Sequence, residues 1–175
     1  MLISTEYLDL QRQMHRSRPD YGIVGQRYAE QVKAVAQALD ARTILDYGCG
    51  KRTLSRSLPG LPIRDYDPCI PGLDAAPDPA DLVVCTDVLE HIELDCLDDV
   101  LDELRRLSLK GTFLTIATRP AAKFLPDGRN AHLIQEPASW WFPKLERRWD
   151  LVRFEGGAKE FEAFGVPRQS KANGQ

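Results

Sequence analysis

The spacing of apolar side chains along the chain switches between helical and strand periods, and this alternation predicts an α/β fold. Between residues 23 and 40 the apolar positions recur every three or four residues, which predicts a helix. Short apolar runs over 43–46, 63–66 and 81–85 each predict a strand buried in a parallel sheet. Helices are expected over 53–58 and 94–107, and a further strand over 112–117.

The last third of the chain has a different pattern. Residues 137–147 predict a short helix with a break or kink at Pro143. Residues 151–155 and 159–164 flank Gly156-Gly157 and predict an antiparallel hairpin. We therefore expect a three-layer α/β sandwich with a mostly parallel sheet and a C-terminal hairpin. Residues 1–167 would form one domain, and 168–175 a flexible tail.

Composition excludes several classes of function. The 175 residues carry a net charge of -3, so no global basic field for nucleic acid exists, although a local patch remains possible. No apolar run reaches the roughly 20 residues of a membrane span, and the N-terminus lacks the pattern of a signal peptide. The four cysteines have no zinc-site spacing, and we expect reduced thiols in a cytoplasmic protein.

The clearest candidate for ligand binding is the glycine turn at Gly48 and Gly50, directly after the strand that ends at Asp46. Ligands of open α/β sheets bind at the carboxyl ends of strands, and glycines let a ligand approach the backbone. A Walker A loop is excluded because position 45 is leucine, and the dinucleotide fingerprint is excluded because position 53 is threonine. Two interpretations remain: a tight turn without a ligand, or an S-adenosylmethionine site in which Asp46 faces the methionine ammonium.

A second acid, Asp67, ends the next predicted strand. A carboxylate at that position can accept hydrogen bonds from both ribose hydroxyls of a nucleoside, although an ordinary Asp-Pro turn is the alternative. Asp65 is a rival for the same role, but alternation along the strand places it on the opposite face.

Three segments, ILDYGCG, YDP and DLVVCTDVLEHI, together resemble the class I S-adenosylmethionine-dependent methyltransferases. The most similar are small enzymes related to the ubiquinone-biosynthesis O-methyltransferases, and the resemblance covers residues 44–118. It implies a Rossmann-like fold with S-adenosylmethionine as cofactor. The cofactor-binding residues that it implies are Asp46, Gly48, Cys49, Gly50, Asp67, Thr86 and Asp87.

The chain departs from that family at two places. Arg52 stands where the family has a third glycine, so its side chain must point away from the ligand or close over it. The segment from Asp67 to Asp81 is short, which predicts that one strand and one helix are reduced to the loop 69–80. Only residues 73–75 remain as candidates for contacts with adenine.

Candidate catalytic residues follow the strand 81–85. On a helical turn Asp87, Glu90 and His91 would share one face, and His132 would approach from a later loop. In one interpretation His91, His132 and Glu90 act on the methyl acceptor as a base or as hydrogen-bond partners. In another, Asp87 and these three residues hold a divalent metal, as in the similar D/E-x-x-E-H pattern of small-RNA 2′-O-methyltransferases. In a third, Glu90 and His91 only order the turn.

Two further groups have open interpretations. His15 is expected on the surface, with a place in a lid over the cofactor as the alternative. Trp140 and Trp141 either wall a substrate pocket or pack on the terminal hairpin.

The function that these patterns favour is methyl transfer to oxygen or nitrogen of a small-molecule or sugar-like acceptor. A divalent metal is possible but not favoured, and neither nucleic acid nor a membrane is expected as a partner. RNA methylation is an alternative that only the D-x-x-E-H pattern favours. A cofactor-binding module without activity is another, supported by Arg52 and the shortened middle of the chain.

Overall fold

The computed structural model describes residues 1–168, and a six-stranded sheet organises them in the order β2-β1-β3-β4-β6-β5. The pairs β1–β2, β1–β3 and β3–β4 are parallel, whereas β6 is antiparallel to both β4 and β5. This confirms a mostly parallel sheet with an antiparallel C-terminal hairpin. The strands are β1 (Ile44–Tyr47), β2 (Ile63–Tyr66), β3 (Ala80–Thr86), β4 (Ser108–Ala117), β5 (Trp149–Gly156) and β6 (Glu160–Pro167).

Five α-helices accompany the strands in the described part of the chain. They are α1 (Thr5–Ser17), α2 (Ala29–Ala38), α3 (Thr53–Ser57), α4 (Leu97–Leu107) and α5 (Ala138–Glu146). Single 3₁₀ turns lie at Gly25–Tyr28, Leu89–His91 and Leu94–Cys96. Only loop connects β2 to β3, as the short spacing predicted. None of the helices within residues 1–168 has the length and apolarity that crossing a membrane requires.

Alternation along the strands produces two core clusters, one on each face of the sheet, and a third, smaller cluster joins α1 to Leu125 and Ala131. Leu45, Val83 and Leu114 point to the cluster that contains α4 and α5. Their neighbours Ile44, Leu82 and Phe113 point to the cluster that contains α2 and α3. The three-layer arrangement therefore follows from the period of two in these buried strands. All four cysteines are buried free thiols, and a cytoplasmic location stays a prediction.

Helix α1 is the element that sequence analysis missed. It fully buries only three side chains, Tyr7, Gln11 and Met14, one turn apart, and most of its other residues are polar. A usable signal was nevertheless present, because Ser4 caps the helix by accepting a hydrogen bond from the Tyr7 amide.

Several predicted boundaries need correction. The helix predicted from residue 23 begins as a 3₁₀ turn, and β4 begins at Ser108 rather than at 112. Helix α5 continues through Pro143, because Trp141 and Leu145 anchor it in the core on both sides of the proline. The predicted tail lies outside the described residues except for Arg168, whose amide donates a hydrogen bond to the Arg148 carbonyl.

The tryptophan pair belongs to the core. Trp141 is fully buried beside α4 and the hairpin, and Trp140 is half-buried with the Lys144 ammonium 4.4 Å from its ring centroid. The packing interpretation is therefore correct.

We expect Trp141→Ala to lower the free energy of unfolding by about 3–5 kcal/mol, because it leaves a large cavity in the core. The neighbouring variant Trp140→Ala loses mainly a cation–π contact and should cost about 1 kcal/mol. Urea denaturation of both variants measures the difference. Equal losses would contradict the assignment of Trp141 to the core.

Candidate functional site

The carboxyl ends of β1, β2 and β3 meet beside a cavity of about 290 Å³. This is where an open α/β sheet places its ligand. The predicted residues that line the cavity are Gly48, Gly50, Asp67, Asp87, His91 and His132. The predicted residues that do not line it are Asp46, Cys49, Thr86 and Glu90.

The glycine turn after β1 depends on left-handed backbone conformations. Gly48 has φ +79° and Gly50 has φ +51°. A Cβ atom at Gly48 would overlap the Val88 side chain, and one at Gly50 would overlap the backbone of Gly22. Both glycines are therefore required by the packing of this chain, whether or not a ligand is bound.

Arg52, which stands at the third glycine position, also adopts a left-handed conformation, with φ +61°. Its guanidinium Nε donates a hydrogen bond to Asp65 Oδ2 at 2.8 Å, and the Ser55 hydroxyl donates to the same oxygen at 3.0 Å. The side chain thus points to β2 and does not line the 290 Å³ cavity.

Asp67 links the ends of β1 and β2. One carboxylate oxygen accepts a hydrogen bond from the Gly50 amide at 3.1 Å, and the other accepts one from the Cys69 amide at 2.9 Å. The side chain is buried, yet it still borders the cavity. His15 Nε2 lies 3.9 Å from Asp67 Oδ2 and its side chain is 11% exposed, so the expectation of a surface histidine was wrong.

The other predicted cofactor residues lie beneath the turn. Asp46 is buried, and burial, together with the nearby charges of Asp65 and Asp67, raises the pKa of its carboxyl to about 8. Cys49 is buried with its thiol 3.9 Å from the Gly50 carbonyl oxygen, and burial raises the pKa of that thiol. Thr86 is buried at the end of β3, where it pairs with Thr115 of β4.

The N-terminal segment covers the cavity, which sequence analysis did not foresee as a whole. The Lys51 amide donates a hydrogen bond to the Gly22 carbonyl at 2.7 Å, which places residues 21–22 on the glycine turn. From α1, Gln11 Nε2 donates to the Tyr7 hydroxyl at 2.5 Å, and that hydroxyl donates to the His91 carbonyl at 2.5 Å. The Tyr21 hydroxyl donates to Gln11 Oε1 at 2.8 Å. This buried network ties α1 to the wall of the site.

Asp87, His91 and His132 come together at the other side of the cavity. One potential ligand atom from each lies within 4.8 Å of the others, and the two imidazole centroids are 4.7 Å apart. His132 Nδ1 lies 2.7 Å from the Arg119 carbonyl oxygen. Because a carbonyl only accepts, Nδ1 carries the proton, and Nε2 of the neutral ring keeps its lone pair. Burial lowers the pKa of His91, which favours its neutral form.

Glu90 lies behind this cluster and does not line the cavity. It is fully buried, and its Oε1 accepts a hydrogen bond from the Ala117 amide at 2.6 Å. Burial and the charge of Asp87 raise the pKa of its carboxyl well above the usual value. The prediction that Asp87, Glu90 and His91 share a helical face was wrong, because Asp87 has φ +57° and a 3₁₀ turn follows it.

Two ion pairs lie at the cavity wall opposite the glycine turn. Arg27 pairs with Glu160 at 2.5 Å, and Lys123 pairs with Asp20 at 3.2 Å. Each pair joins segments far apart in the sequence, so no local pattern identified these residues.

Comparison with known proteins identifies the family. A sequence profile described as a methyltransferase domain matches residues 14–165. A search of curated protein sequences gave no significant match.

Solved structures with the same fold cover nearly the whole chain. The Burkholderia thailandensis 1,6-didemethyltoxoflavin N1-methyltransferase, solved with its substrate and S-adenosylhomocysteine, is 15% identical with a TM-score of 0.66, covering 94% of this chain and 90% of that one. The Synechocystis magnesium protoporphyrin IX methyltransferase with S-adenosylhomocysteine is 17% identical with a TM-score of 0.60, covering 94% and 95%. An rRNA methylase from Escherichia coli is 15% identical with a TM-score of 0.55, covering 95% and 78%.

We expect Gly50→Ala to destabilise the protein more than Gly128→Ala does. Both glycines have positive φ, but a Cβ at Gly128 meets open space, whereas one at Gly50 overlaps the Gly22 backbone. The shared backbone strain costs about 1–2 kcal/mol, and the overlap should add about 1–3 kcal/mol. Urea denaturation compares the two variants. Equal losses would contradict the close packing of residue 22 on the turn.

Proposed function

The chain belongs to the methyltransferase-domain family, and from this premise we propose that it transfers a methyl group from S-adenosylmethionine to oxygen or nitrogen of a small-molecule or sugar-like acceptor. The observation that carries the proposal is the cavity at the carboxyl ends of β1 to β3, bordered by the glycine turn and Asp67. Structural neighbours with this fold were crystallised with S-adenosylhomocysteine, which supports S-adenosylmethionine as the cofactor.

The cofactor fits the groups that border the cavity. The backbone of Gly48 and Gly50 accommodates the methionine moiety, and Asp67 accepts the ribose hydroxyls. Each oxygen of Asp67 accepts one protein hydrogen bond, so each retains a lone pair for a ligand. Asp46 and Cys49 support cofactor binding from beneath the turn, without lining the cavity. Thr86 holds the end of β3 in place. A cation above the turn favours ionisation of Asp46, whose proton is otherwise retained by burial.

The acceptor is proposed to bind between the glycine turn and the His91–His132 pair. Displacement at a sulfonium methyl requires the nucleophile in line, and holding that geometry supplies much of the rate. His132 is oriented by the Arg119 carbonyl through Nδ1, which leaves Nε2 as the ring nitrogen available to the acceptor, so it is our candidate for the base. Asp87 and His91 line the same wall. Glu90 serves as a positioning residue, because its bond to the Ala117 amide ties the 3₁₀ turn of His91 to β4.

A divalent metal is a second candidate for this wall, favoured by the convergence of Asp87, His91 and His132. One carboxylate and two neutral imidazoles suit zinc or manganese. When bound, a metal would polarise the acceptor oxygen. The donation from His132 Nδ1 to the Arg119 carbonyl is the orienting contact that metal-bound histidines usually have.

We expect Asp67→Asn to weaken binding of S-adenosylhomocysteine at least tenfold, since a charged hydrogen-bond acceptor contributes roughly 1.5–3 kcal/mol. Asp65→Asn is the matched control, because Asp65 lies two residues away and bonds to Arg52 and Ser55. The affinity of the Asp65→Asn variant for S-adenosylhomocysteine should stay within twofold of that of the natural protein. Calorimetry measures both. Equal weakening in the two variants would remove Asp67 from the proposed contacts.

We expect His132→Asn to lower methyl transfer by about 10²–10⁴-fold, the usual loss when a general base is removed. Asparagine retains a donor for the Arg119 carbonyl but has no atom at Nε2, so melting temperature and S-adenosylhomocysteine affinity should not change. The assay uses S-adenosylmethionine with a radiolabelled methyl group and pools of small hydroxyl or amino compounds, with total RNA in parallel.

The same assay separates the alternatives. Loss of activity with EDTA and its return with Zn²⁺ or Mn²⁺ would assign the three residues to a metal. Labelling of RNA alone would replace the small-molecule acceptor. Cofactor binding without labelling of any acceptor would favour the module without activity. Full turnover of His132→Asn would remove this histidine from catalysis.

A further inference from the structure

A second cavity, of about 360 Å³, lies behind the glycine turn. His15, Gly50 and Cys69 border both cavities and form the wall between them. Three apolar side chains also line the second cavity, from the loop after β2, and five basic residues line the rest. The apolar residues are Ile70, Pro71 and Leu73, and the basic ones are Arg12, Arg16, Lys51, Arg52 and Arg56.

Only part of this positive charge is neutralised. Arg52 Nε lies 2.8 Å from Asp65 Oδ2, and Arg12 Nη1 lies 3.8 Å from Asp9 Oδ1. Lys51 donates a hydrogen bond to the His15 carbonyl, which carries no charge. Neither Arg16 nor Arg56 has an acidic partner within 4 Å among residues 1–168. The side chains around this mostly apolar cavity therefore carry an excess of positive charge in a protein whose net charge is -3.

Two buried nitrogen atoms, in residues that line the second cavity, lack a hydrogen-bond partner. They are Arg12 Nε and His15 Nδ1. Buried polar atoms in folded proteins are nearly always paired, so an unpaired guanidinium N–H beside a cavity indicates a site for an acceptor oxygen. The unpaired Arg12 Nε is an observation independent of the surface charge, and as a hydrogen-bond donor it points to the same kind of ligand.

We propose that this second cavity binds an organic phosphate, separately from the cofactor. Arginine guanidinium groups match the geometry and charge of a phosphoryl group better than they match any neutral ligand. Arg12, Arg16 and Arg56 would hold the phosphoryl oxygens, and Ile70 and Leu73 would contact the carbon skeleton. Leu73, which sequence analysis offered as an adenine contact, lines this second cavity and not the 290 Å³ cavity. The cavity is concave and apolar on one side, which favours a small molecule over a nucleic-acid strand. This proposal does not depend on methyl transfer.

Calorimetry with the full chain tests it, in the presence of saturating S-adenosylhomocysteine so that the cofactor cavity is filled. The probes are phenyl phosphate and inorganic pyrophosphate, and phenol is the control without a phosphoryl group. We expect saturable binding of both phosphates with one site per chain, weakened by added salt, and no binding of phenol.

The double variant Arg16→Ala/Arg56→Ala should weaken phosphate binding at least tenfold. The double variant Arg42→Ala/Arg147→Ala removes the same charge from two exposed positions outside the cavity and should leave binding unchanged. All four arginines are exposed, so both variants should melt as the natural protein does.

Four results would overturn the proposal. They are absence of phosphate binding both with and without S-adenosylhomocysteine, equal weakening in the two double variants, phosphate binding that occurs only without S-adenosylhomocysteine, and dependence of single-stranded RNA binding on Arg16 and Arg56 without binding of either phosphate. The third would assign the cavity to the cofactor, and the fourth would make it a nucleic-acid surface.

Discussion

The site depends on one buried carboxylate. Asp67 accepts amide hydrogen bonds from Gly50 and Cys69, and its side chain thereby ties the turn after β1 to the loop after β2. The left-handed Gly50 can then pack against Gly22, and a Cβ at that position would have no room. A charged acceptor with two amide donors is strong enough to hold a turn that has little regular structure around it.

The second constraint is the buried polar network between α1 and the 3₁₀ turn of His91. The side chains of Tyr7, Gln11 and Tyr21 form hydrogen bonds with one another and with the His91 carbonyl. None of these polar groups is therefore buried without a hydrogen-bond partner. A fully paired network in a low-dielectric interior fixes one arrangement of the elements that it joins. Helix α1 is positioned by these bonds together with the packing of Tyr7 and Met14 against Leu125 and Ala131.

Charge is distributed unequally around the glycine turn. Asp46, Asp65 and Asp67 lie beneath and beside it, and burial together with the charges of the other two raises the pKa of Asp46. On the outer side Arg12, Arg16 and Arg56 face the second cavity. The turn therefore separates an environment that favours cations from one that favours anions, although the net charge of the chain is small. Such local asymmetry depends on folding, since these residues come from α1, β1, α3, β2 and the loop after β2.

The sequence by itself determined the strands, the glycine turn, the position of Asp67 at a strand end and the shortened connection between β2 and β3. Each of these is set by periodicity, backbone conformation or spacing within about ten residues. Tertiary structure decided how deep Asp46 lies, that Arg52 turns to Asp65, that Glu90 bonds to Ala117, and that α1 covers the cavity. It also brought His91 and His132 together, and whether they act as proposed stays a prediction. These outcomes depend on contacts between segments distant in the chain, where burial and the available hydrogen-bond partners override local preference.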